Sequence, residues 1–391
     1  MSQKLFTNIG QLVTNDPVHD GSMLGIIESA AILVDGEDVT WVGEEESAPK
    51  VDDDCIIDMY RKAVVPGFVD SHNHLIFAGD RSRDFQARMA GGEYAPRGIH
   101  YTVEQTRLAG ENELRGNLAH LVSEARKSGT TTLEIKSGYG LNVAKEVMSL
   151  RLAQEVSEET TFLGAHIVPQ EFLTAPDDYV DLVIGEMLDA CAPYAKWIDV
   201  FCDRGAFTSE QTRKILSAGI AKGLMPRLHA HQLERGEGIA IGVEMGAASV
   251  DHISHVSDED LQLLADSSTV ATLLPGAEFS TRSPYPDARR FWDAGITVAL
   301  ATDCNPGSSF TNSMPFIMAV AVRDMFFTPE QALWSATAGG AAALRRSDIG
   351  RIAPGCRADF LLLDAPSYIH LAYRPGVQLI EQVWRNGSQL I

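Results

Sequence analysis

Eight short apolar runs recur along the middle of the chain, and segments of helical length separate them. Several runs are almost continuously apolar, which is typical of parallel strands that are covered on both faces. Eight strands that alternate with helices over about 250 residues predict an α/β fold, a TIM (β/α)8 barrel. The runs are AVVPGFVD (63–70), TTLEIK (131–136), TTFLGAH (160–166), WIDVFC (197–202), MPRLHAH (225–231), ASVDHI (248–253), STVATLLP (268–275) and TVALATD (297–303).

The segments between these runs carry signals for the start and the end of helices. ENELRGNLAHLVSEARKSG (111–129) ends on Gly129, and SEQTRKILSAGIAKG (209–223) begins at the capping residue Ser209 and ends on Gly223. A doubly wound open sheet would have the same alternation of strands and helices. However, no GxGxxG motif follows the first strand, so the barrel is favoured.

The two ends of the chain have strand-like patterns without helices between them. Residues 1–62 contain KLFTNIGQLVT, SAAILVDGEDVTWVGE and CIIDMYRKAV, and residues 349–391 contain IGRIAPGCRADFLLLD and LIEQVWRNGSQLI. Within the last run, Asn386-Gly387 is a strong hairpin signal. We therefore expect residues 1–62 and 349–391 to form one small, β-sandwich-like domain, and residues 63–348 to form the barrel.

Composition and charge exclude several classes of partner. The formal net charge is −21 and no basic run is present, which argues against nucleic acid as a partner. No stretch approaches the roughly 20 apolar residues of a membrane helix, and Met1 to Thr14 do not have the apolar core of a secretory signal. The five scattered cysteines suit reduced thiols, so we expect a cytoplasmic protein.

Histidines and one aspartate stand at the carboxyl ends of four predicted strands, where TIM barrels have their active sites. His72 and His74 follow strand 1, and an i, i+2 pair in extended chain directs both side chains to one face. Strands 5, 6 and 8 end with His229, His252 and Asp303. Each residue alone would more often be structural, but together they predict a metal centre for hydrolysis.

Other polar residues near these strand ends are expected to be structural. His231 could face the same pocket as His229 and compete for a metal, but a position outside the ligand shell is favoured. Lys136, at the end of strand 2, is expected to form a salt bridge. Cys304 is expected to be a small buried residue, and His255 has no role that the sequence supports.

The sequence resembles the amidohydrolase superfamily along nearly its whole length. The segment PGFVDSHNH, the strand-8 residue Asp303 and the closing segment GRIAPGCRADFLLLD carry this resemblance. Within the superfamily the sequence is closely similar to the imidazolonepropionase family. The segments of this closer similarity are HLIFAGDR (74–81), RMAGGEY (88–94), TTLEIKSGYGL (131–141), FLGAHIVP (162–169), IDVFCDRGAF (198–207), LHAHQL (228–233), SVDHI (249–253), LLPGAEF (273–279) and ALATDCNPGSS (299–309).

The resemblance implies that one divalent metal ion, zinc or iron with zinc slightly favoured, is bound by His72, His74, His229 and Asp303. Binuclear relatives have a carboxylated lysine at the tip of strand 4, where this chain has FCD (201–203), and Lys196 lies at the opposite end of that strand. A single ion is therefore expected.

The resemblance also implies roles in catalysis and in binding a small planar carboxylate. Asp303 would relay a proton from the attacking water, and His252 would polarise a carbonyl or act as a base. Gln232 is assigned both to catalysis and to substrate binding. The implied substrate-binding residues are Arg81, Tyr139, His166, Gln232, Asn305, Gly307 and Ser308.

The implied reaction is the ring opening of 4-imidazolone-5-propionate to N-formimidoyl-L-glutamate in histidine degradation, by hydrolysis of a cyclic amide C–N bond. The expected partner is this small molecule, and a homodimer is left open. A purine or pyrimidine deaminase would usually have glutamate three residues after His229, where this chain has Gln232. A catalytically inactive barrel scaffold would lose metal ligands, and this chain retains all four.

Overall fold

A computed structural model describes residues 3–91 and 98–391 of the chain. These residues form two compact units, one from residues 3–71, 124–132 and 313–391 and the other from residues 72–91, 98–123 and 133–312. Residues 92–94 of the segment RMAGGEY lie outside the described residues. The domain boundaries expected from the sequence, 1–62 with 349–391 and 63–348, stay a prediction.

The strands are numbered in chain order. They are β1 (Gln3–Val13), β2 (Ile26–Asp35), β3 (Asp38–Glu44), β4 (Ile56–Asp58), β5 (Ala63–Pro66), β6 (Phe68–Asp70), β7 (Thr130–Lys136), β8 (Glu159–Ala165), β9 (Trp197–Cys202), β10 (Met225–Pro226), β11 (Leu228–Ala230), β12 (Ser249–His252), β13 (Val270–Leu273), β14 (Val298–Leu300), β15 (Phe360–Leu363), β16 (Ile380–Arg385) and β17 (Ser388–Gln389).

The helices are numbered in the same way. They are α1 (Ser82–Met89), α2 (Gly98–Leu108), α3 (Glu111–Lys127), α4 (Val143–Gln154), α5 (Pro176–Leu182), α6 (Leu188–Cys191), α7 (Ser209–Ala221), α8 (Gly238–Glu244), α9 (Asp258–Ala265), α10 (Pro275–Thr281), α11 (Arg289–Asp293), α12 (Met314–Asp324), α13 (Pro329–Trp334), α14 (Gly340–Ala343) and α15 (His370–Tyr373). Short 3-10 turns occur at Glu45–Ser47, Asp53–Cys55, Gln170–Phe172 and Ala192–Tyr194, and π-helical turns at Val183–Met187 and Ser335–Gly339.

Strands from both ends of the chain pair in one sheet, in the order β17-β16-β15-β5-β1-β2-β3 with β4 beside β1. The rings of Phe6, Phe360 and Trp384 pack together in its core. Asn386 and Gly387 both have positive φ, 52° and 65°, as a tight hairpin between β16 and β17 requires. The predicted β-domain built from both ends is confirmed.

The second sheet contains the predicted barrel strands in the order β6-β7-β8-β9-β11-β12-β13-β14, with β10 beside β9. Its pairs from β7 to β14 are parallel. Beyond the strand ends, the amide of His74 donates to the carbonyl of Cys304 and that of Asp303 donates to the carbonyl of His72, both at 3.0 Å. These bonds join the first and last positions of the sheet, and the predicted TIM barrel is confirmed.

The first predicted strand, 63–70, is divided at Gly67, so that β5 belongs to the terminal sheet and β6 to the barrel sheet. A Cβ atom at Gly67 would lie 2.4 Å from the side chain of Thr131, so only glycine fits at this division. An apolar pattern does not reveal such a change of sheet, because both halves are buried.

The two predicted helices correspond to α3 and α7, and Gly129 and Gly223 end them with φ of 95° and 86°. The predicted cap of α7 was wrong by one residue. Thr208, not Ser209, accepts from the amide of Gln211 in a reciprocal capping box. Within the described ranges, every helix is too short or too polar to cross a bilayer.

Candidate active site

The side chains of the predicted metal ligands converge beyond the carboxyl ends of the barrel strands. The Nε2 atom of His74 lies 3.3 Å from the Nε2 atoms of both His72 and His229. The Oδ1 atom of Asp303 lies 3.6 Å from the Nε2 atoms of His72 and His74. Tetrahedral ligands at zinc–nitrogen bond lengths are themselves roughly 3.3 Å apart, so these separations fit one small divalent ion.

His252 lies beside the same group. Its ring, with those of His72 and His229, offers nitrogen atoms that all lie within 4.8 Å of one another. His252 and Asp303 have positive φ, 73° and 49°, which is uncommon for residues other than glycine. Such backbone strain occurs preferentially at functional sites.

His231 is directed away from this group, although it stands two residues after His229. Strand β11 ends at Ala230, and His231 has φ of 55°, so the alternation of an extended chain stops there. Its Nδ1 atom instead lies 3.0 Å from the carbonyl oxygen of His255. The position outside the ligand shell that the sequence favoured for His231 agrees with this geometry, and the side chain is buried.

Buried carboxylates orient two of the histidines. Asp251 Oδ2 lies 2.7 Å from Nδ1 of His72 and 3.3 Å from a guanidinium nitrogen of Arg227. Asp199 Oδ1 lies 3.0 Å from Nδ1 of His229. A carboxylate beside Nδ1 accepts a hydrogen bond from the N–H group there and so keeps the ring proton on Nδ1. The lone pair of Nε2 is then free to bind a metal.

A buried lysine continues the second of these networks. The ammonium of Lys136 donates to Asp199 Oδ2 and to Glu134 Oε1, both at 2.9 Å, and its side chain is 0% exposed. The salt bridge predicted for Lys136 is confirmed. Four charged residues of these networks were not predicted from the sequence, although a charged residue inside an otherwise apolar strand is an available signal: Glu134, Asp199, Arg227 and Asp251.

Burial sets the protonation of this site. It lowers the pKa of His72, His74 and His252 well below the ordinary value, and that of His166 to about 3. These imidazoles are therefore neutral at pH 7, as metal binding requires. Burial alone would raise the pKa of Asp199, but its interactions with the His229 ring and the Lys136 ammonium outweigh burial and hold that pKa well below the usual range.

A pocket opens over the ligand group, and all the predicted substrate-binding residues line it. Ile99, Ile167 and Phe201 add apolar surface that was not predicted from the sequence. Among the residues that the structure describes, the lining is His74, Arg81, Ile99, Tyr139, His166, Ile167, Phe201, His229, Gln232, His252, Asp303, Asn305, Gly307 and Ser308.

The loop after Asp303 is organised by the side chain of Asn305. Its Oδ1 accepts from the amides of Gly307 and Ser308, both at 2.8 Å, and its Nδ2 donates to the carbonyl of Asp303 at 2.7 Å. These bonds occupy most of its hydrogen-bonding capacity. Asn305 therefore shapes the loop wall, and its contact with substrate stays a prediction.

Two arginines lie against this loop. The guanidinium of Arg81 is paired with Asp84 and lies 3.3 Å from the hydroxyl of Thr102, and a Cβ atom on Gly307 would be 3.2 Å from its Nη1. Arg88 donates to the carbonyl of Gly307 at 2.8 Å. Arg88 was not assigned from the sequence. Two guanidinium groups therefore stand behind the loop wall of the pocket, and that of Arg81 is paired with Asp84.

Comparisons with known proteins agree with this arrangement. The model of the amidohydrolase family matches residues 63–390. Imidazolonepropionase from Streptomyces griseus is 58% identical over 392 residues, which cover 100% of both chains. The enzyme of that name from Salinispora tropica is 61% identical over 389 residues, covering 99% of this chain and 98% of its own.

More distant solved structures have the same fold. Zinc-bound atrazine chlorohydrolase from Arthrobacter aurescens matches with a TM-score of 0.73 at 17% identity, covering 99% of this chain and 95% of its own. Guanine deaminase from C. acetobutylicum matches with a TM-score of 0.73 at 15% identity, covering 100% of both chains. The family model and the full-length relatives show that the chain belongs to the amidohydrolase family and, within it, to the imidazolonepropionases.

Proposed function

We propose that this chain hydrolyses 4-imidazolone-5-propionate to N-formimidoyl-L-glutamate, a step in histidine degradation. The supporting observation is one pocket that combines a metal-ligand group with the cationic residue Arg81. Relatives that bear the name imidazolonepropionase are identical to this chain at more than half of their positions over the full length.

The free cysteines suit a reducing compartment, and we propose that the protein is located in the cytoplasm. A homodimer stays a prediction.

His72, His74, His229 and Asp303 are the residues that would hold the metal ion. Their nitrogen and carboxylate donors suit zinc, which we favour slightly over iron. When bound, such an ion lowers the pKa of a water molecule toward neutrality and polarises a carbonyl group.

The buried charges support a single divalent ion. Four carboxylates belong to the ligand group and the networks behind it, and two cations balance half of them. Histidines add no charge to this balance, because an imidazole must be neutral to bind a metal. One doubly charged ion neutralises the remainder, which matters because uncompensated buried charge is costly. The carboxylates are Glu134, Asp199, Asp251 and Asp303, and the cations are Lys136 and Arg227.

The protein's own groups would move protons and orient the ring. Asp303 would take a proton from the attacking water and pass it to the departing ring nitrogen. His252, neutral because burial lowers its pKa, would donate a hydrogen bond to the carbonyl oxygen. The amide of Gln232 can both donate to and accept from the ring. It cannot carry the proton that a deaminase must deliver to leaving ammonia.

The first test is turnover of freshly generated imidazolone propionate. Because water adds across a ring C–N bond and no amine leaves, we expect loss of the substrate without release of ammonia. Cytosine and guanine should be inert, because they have no carboxylate for Arg81. A control without enzyme corrects for spontaneous decay of the ring. Ammonia release from an aminated base, faster than consumption of imidazolone propionate, would instead establish a deaminase.

The second test concerns Arg81. Arg81→Ala should raise KM roughly tenfold or more, because charge-assisted hydrogen bonds to the propionate carboxylate are lost. It should also lower kcat if these hydrogen bonds align the ring. Steady-state kinetics and elemental analysis measure both effects, and the metal content should not change. Arg83→Ala is the matched control, because Arg83 is exposed in the first turn of α1, which begins directly after Arg81. Loss of metal or unchanged kinetics in Arg81→Ala would show that the role is misassigned.

A further inference from the structure

The turn after strand β7, Ser137–Leu141, carries one pocket side chain and holds a second. Tyr139 stands at its centre, with its ring centroid 5.2 Å from that of His166. The carbonyl oxygen of Gly138 lies 3.0 Å from Nδ1 of His166, which makes Nδ1 the protonated nitrogen of that neutral ring. The position of this turn therefore determines the orientation of both Tyr139 and His166.

A buried carboxylate binds the amide side of the turn. Glu146, on helix α4, is 0% exposed. Its carboxylate accepts from the amides of Gly138 at 3.0 Å and of Gly140 and Leu141 at 2.8 Å each. Such a concave set of N–H groups is an anion-binding nest. The Gly-Tyr-Gly sequence suits it, because Gly138 has φ of 108° and a Cβ atom on Gly140 would lie 2.9 Å from Glu146 Oε1.

An arginine binds the carbonyl side of the same turn. Arg107, on helix α2, donates through Nε to the carbonyl of Gly140 at 2.7 Å and through Nη2 to that of Leu141 at 2.9 Å. Its Nη1 lies 2.8 Å from Oε1 of Glu171, in the turn after strand β8. The turn is thus held between an anion on one side and a cation on the other.

We propose that Glu146 and Arg107 are positioning residues for substrate binding, which set the orientation of Tyr139 and His166 toward the imidazolone ring. The identity of that ligand rests on the function proposed above. Glu146 and Arg107 hydrogen-bond to the turn backbone, whereas the metal-ligand group is oriented by Asp199 and Asp251. Their removal should therefore weaken substrate binding while the metal is retained.

The experiment compares Glu146→Gln and Arg107→Gln with the unmodified full-length protein. Glutamine at position 146 would present an N–H donor to one of the turn amides, so the nest loses an acceptor. Arg107 is partly exposed, so Arg107→Gln should fold even if Glu146→Gln does not. Arg115→Gln is the matched control, since Arg115 also joins two helical segments through carboxylates, at Glu111 and Glu155, but on the surface.

Three quantities are measured: hydrogen exchange of the peptide that covers residues 137–142, bound metal, and the kinetic constants for imidazolone propionate. We expect faster amide exchange in this peptide for both variants, unchanged metal content, and KM raised roughly tenfold or more. In Arg115→Gln all three should match the unmodified protein.

Different results would contradict the positioning role and the proposed function. Unchanged KM in Arg107→Gln, with normal turnover by the unmodified protein, overturns the positioning role alone. Loss of metal in Arg107→Gln, with or without a change of KM, also overturns it, because the effect would then be a general loosening of the barrel. Absence of turnover by the unmodified protein overturns the proposed function, and with it the imidazolone ring as the ligand.

Discussion

Asp303→Ala is expected to lower kcat/KM by roughly 10³-fold or more and to leave the protein with less than one metal ion per chain. The carboxylate of Asp303 lies 3.6 Å from the Nε2 atoms of His72 and His74, so its removal takes away both a metal ligand and the proposed proton carrier. Positioned acid–base groups alone contribute about 10²- to 10⁴-fold to rates. Steady-state kinetics and elemental analysis of the purified variant measure the two effects.

The unmodified protein supplies the reference for this prediction. It should contain one divalent ion per chain and lose activity on exhaustive chelation. Asp266→Ala, at an exposed carboxylate that accepts from Gln262, should retain both metal and activity. Two ions per chain, or full activity after chelation, would contradict the mononuclear centre. Near-normal kinetics of Asp303→Ala would contradict its role as ligand and proton carrier.

Lys136→Met is expected to lower the free energy of unfolding by about 3–5 kcal/mol, because it removes the cation of a buried ion-pair network and leaves the carboxylates in place. The ammonium lies 2.9 Å from carboxylate oxygens of both Glu134 and Asp199, and all three side chains are 0% exposed. Methionine has a similar length but leaves two buried carboxylates without their cation. Denaturant unfolding of the metal-free proteins measures the loss.

Metal binding should weaken in the same variant, because Asp199 also orients His229. Lys214→Met removes a lysine from an exposed pair with Asp181, and its effect on unfolding should stay within about 1 kcal/mol. Adding Glu134→Gln to Lys136→Met should recover part of the lost stability, since one excess negative charge is then removed. A loss no larger than that of Lys214→Met would show that Lys136 does not balance these carboxylates.

The sequence by itself determined the fold and the chemical type of the site. Near-continuous apolar strands that alternate with helices are compatible with few architectures, and the Asn386-Gly387 hairpin identified β16 and β17 locally. The metal-ligand group was also predictable. A barrel brings the carboxyl ends of all its strands to one face, so polar residues at those ends meet whatever their separation along the chain. This is why His72, His229 and Asp303 could be grouped without coordinates.

Only the tertiary structure decided how these groups are supported. Strands buried on both faces have no alternating pattern, so the sequence did not indicate that Asp199 and Asp251 point inward to histidines at the ends of other strands. It also did not show that β11 stops at Ala230, which turns His231 away from His229. The hydrogen bond from Arg107 to the carbonyl of Gly140, in the turn that carries Tyr139, joins residues more than 30 positions apart. Such contacts depend on how the closed barrel places separate loops side by side, which no local pattern encodes.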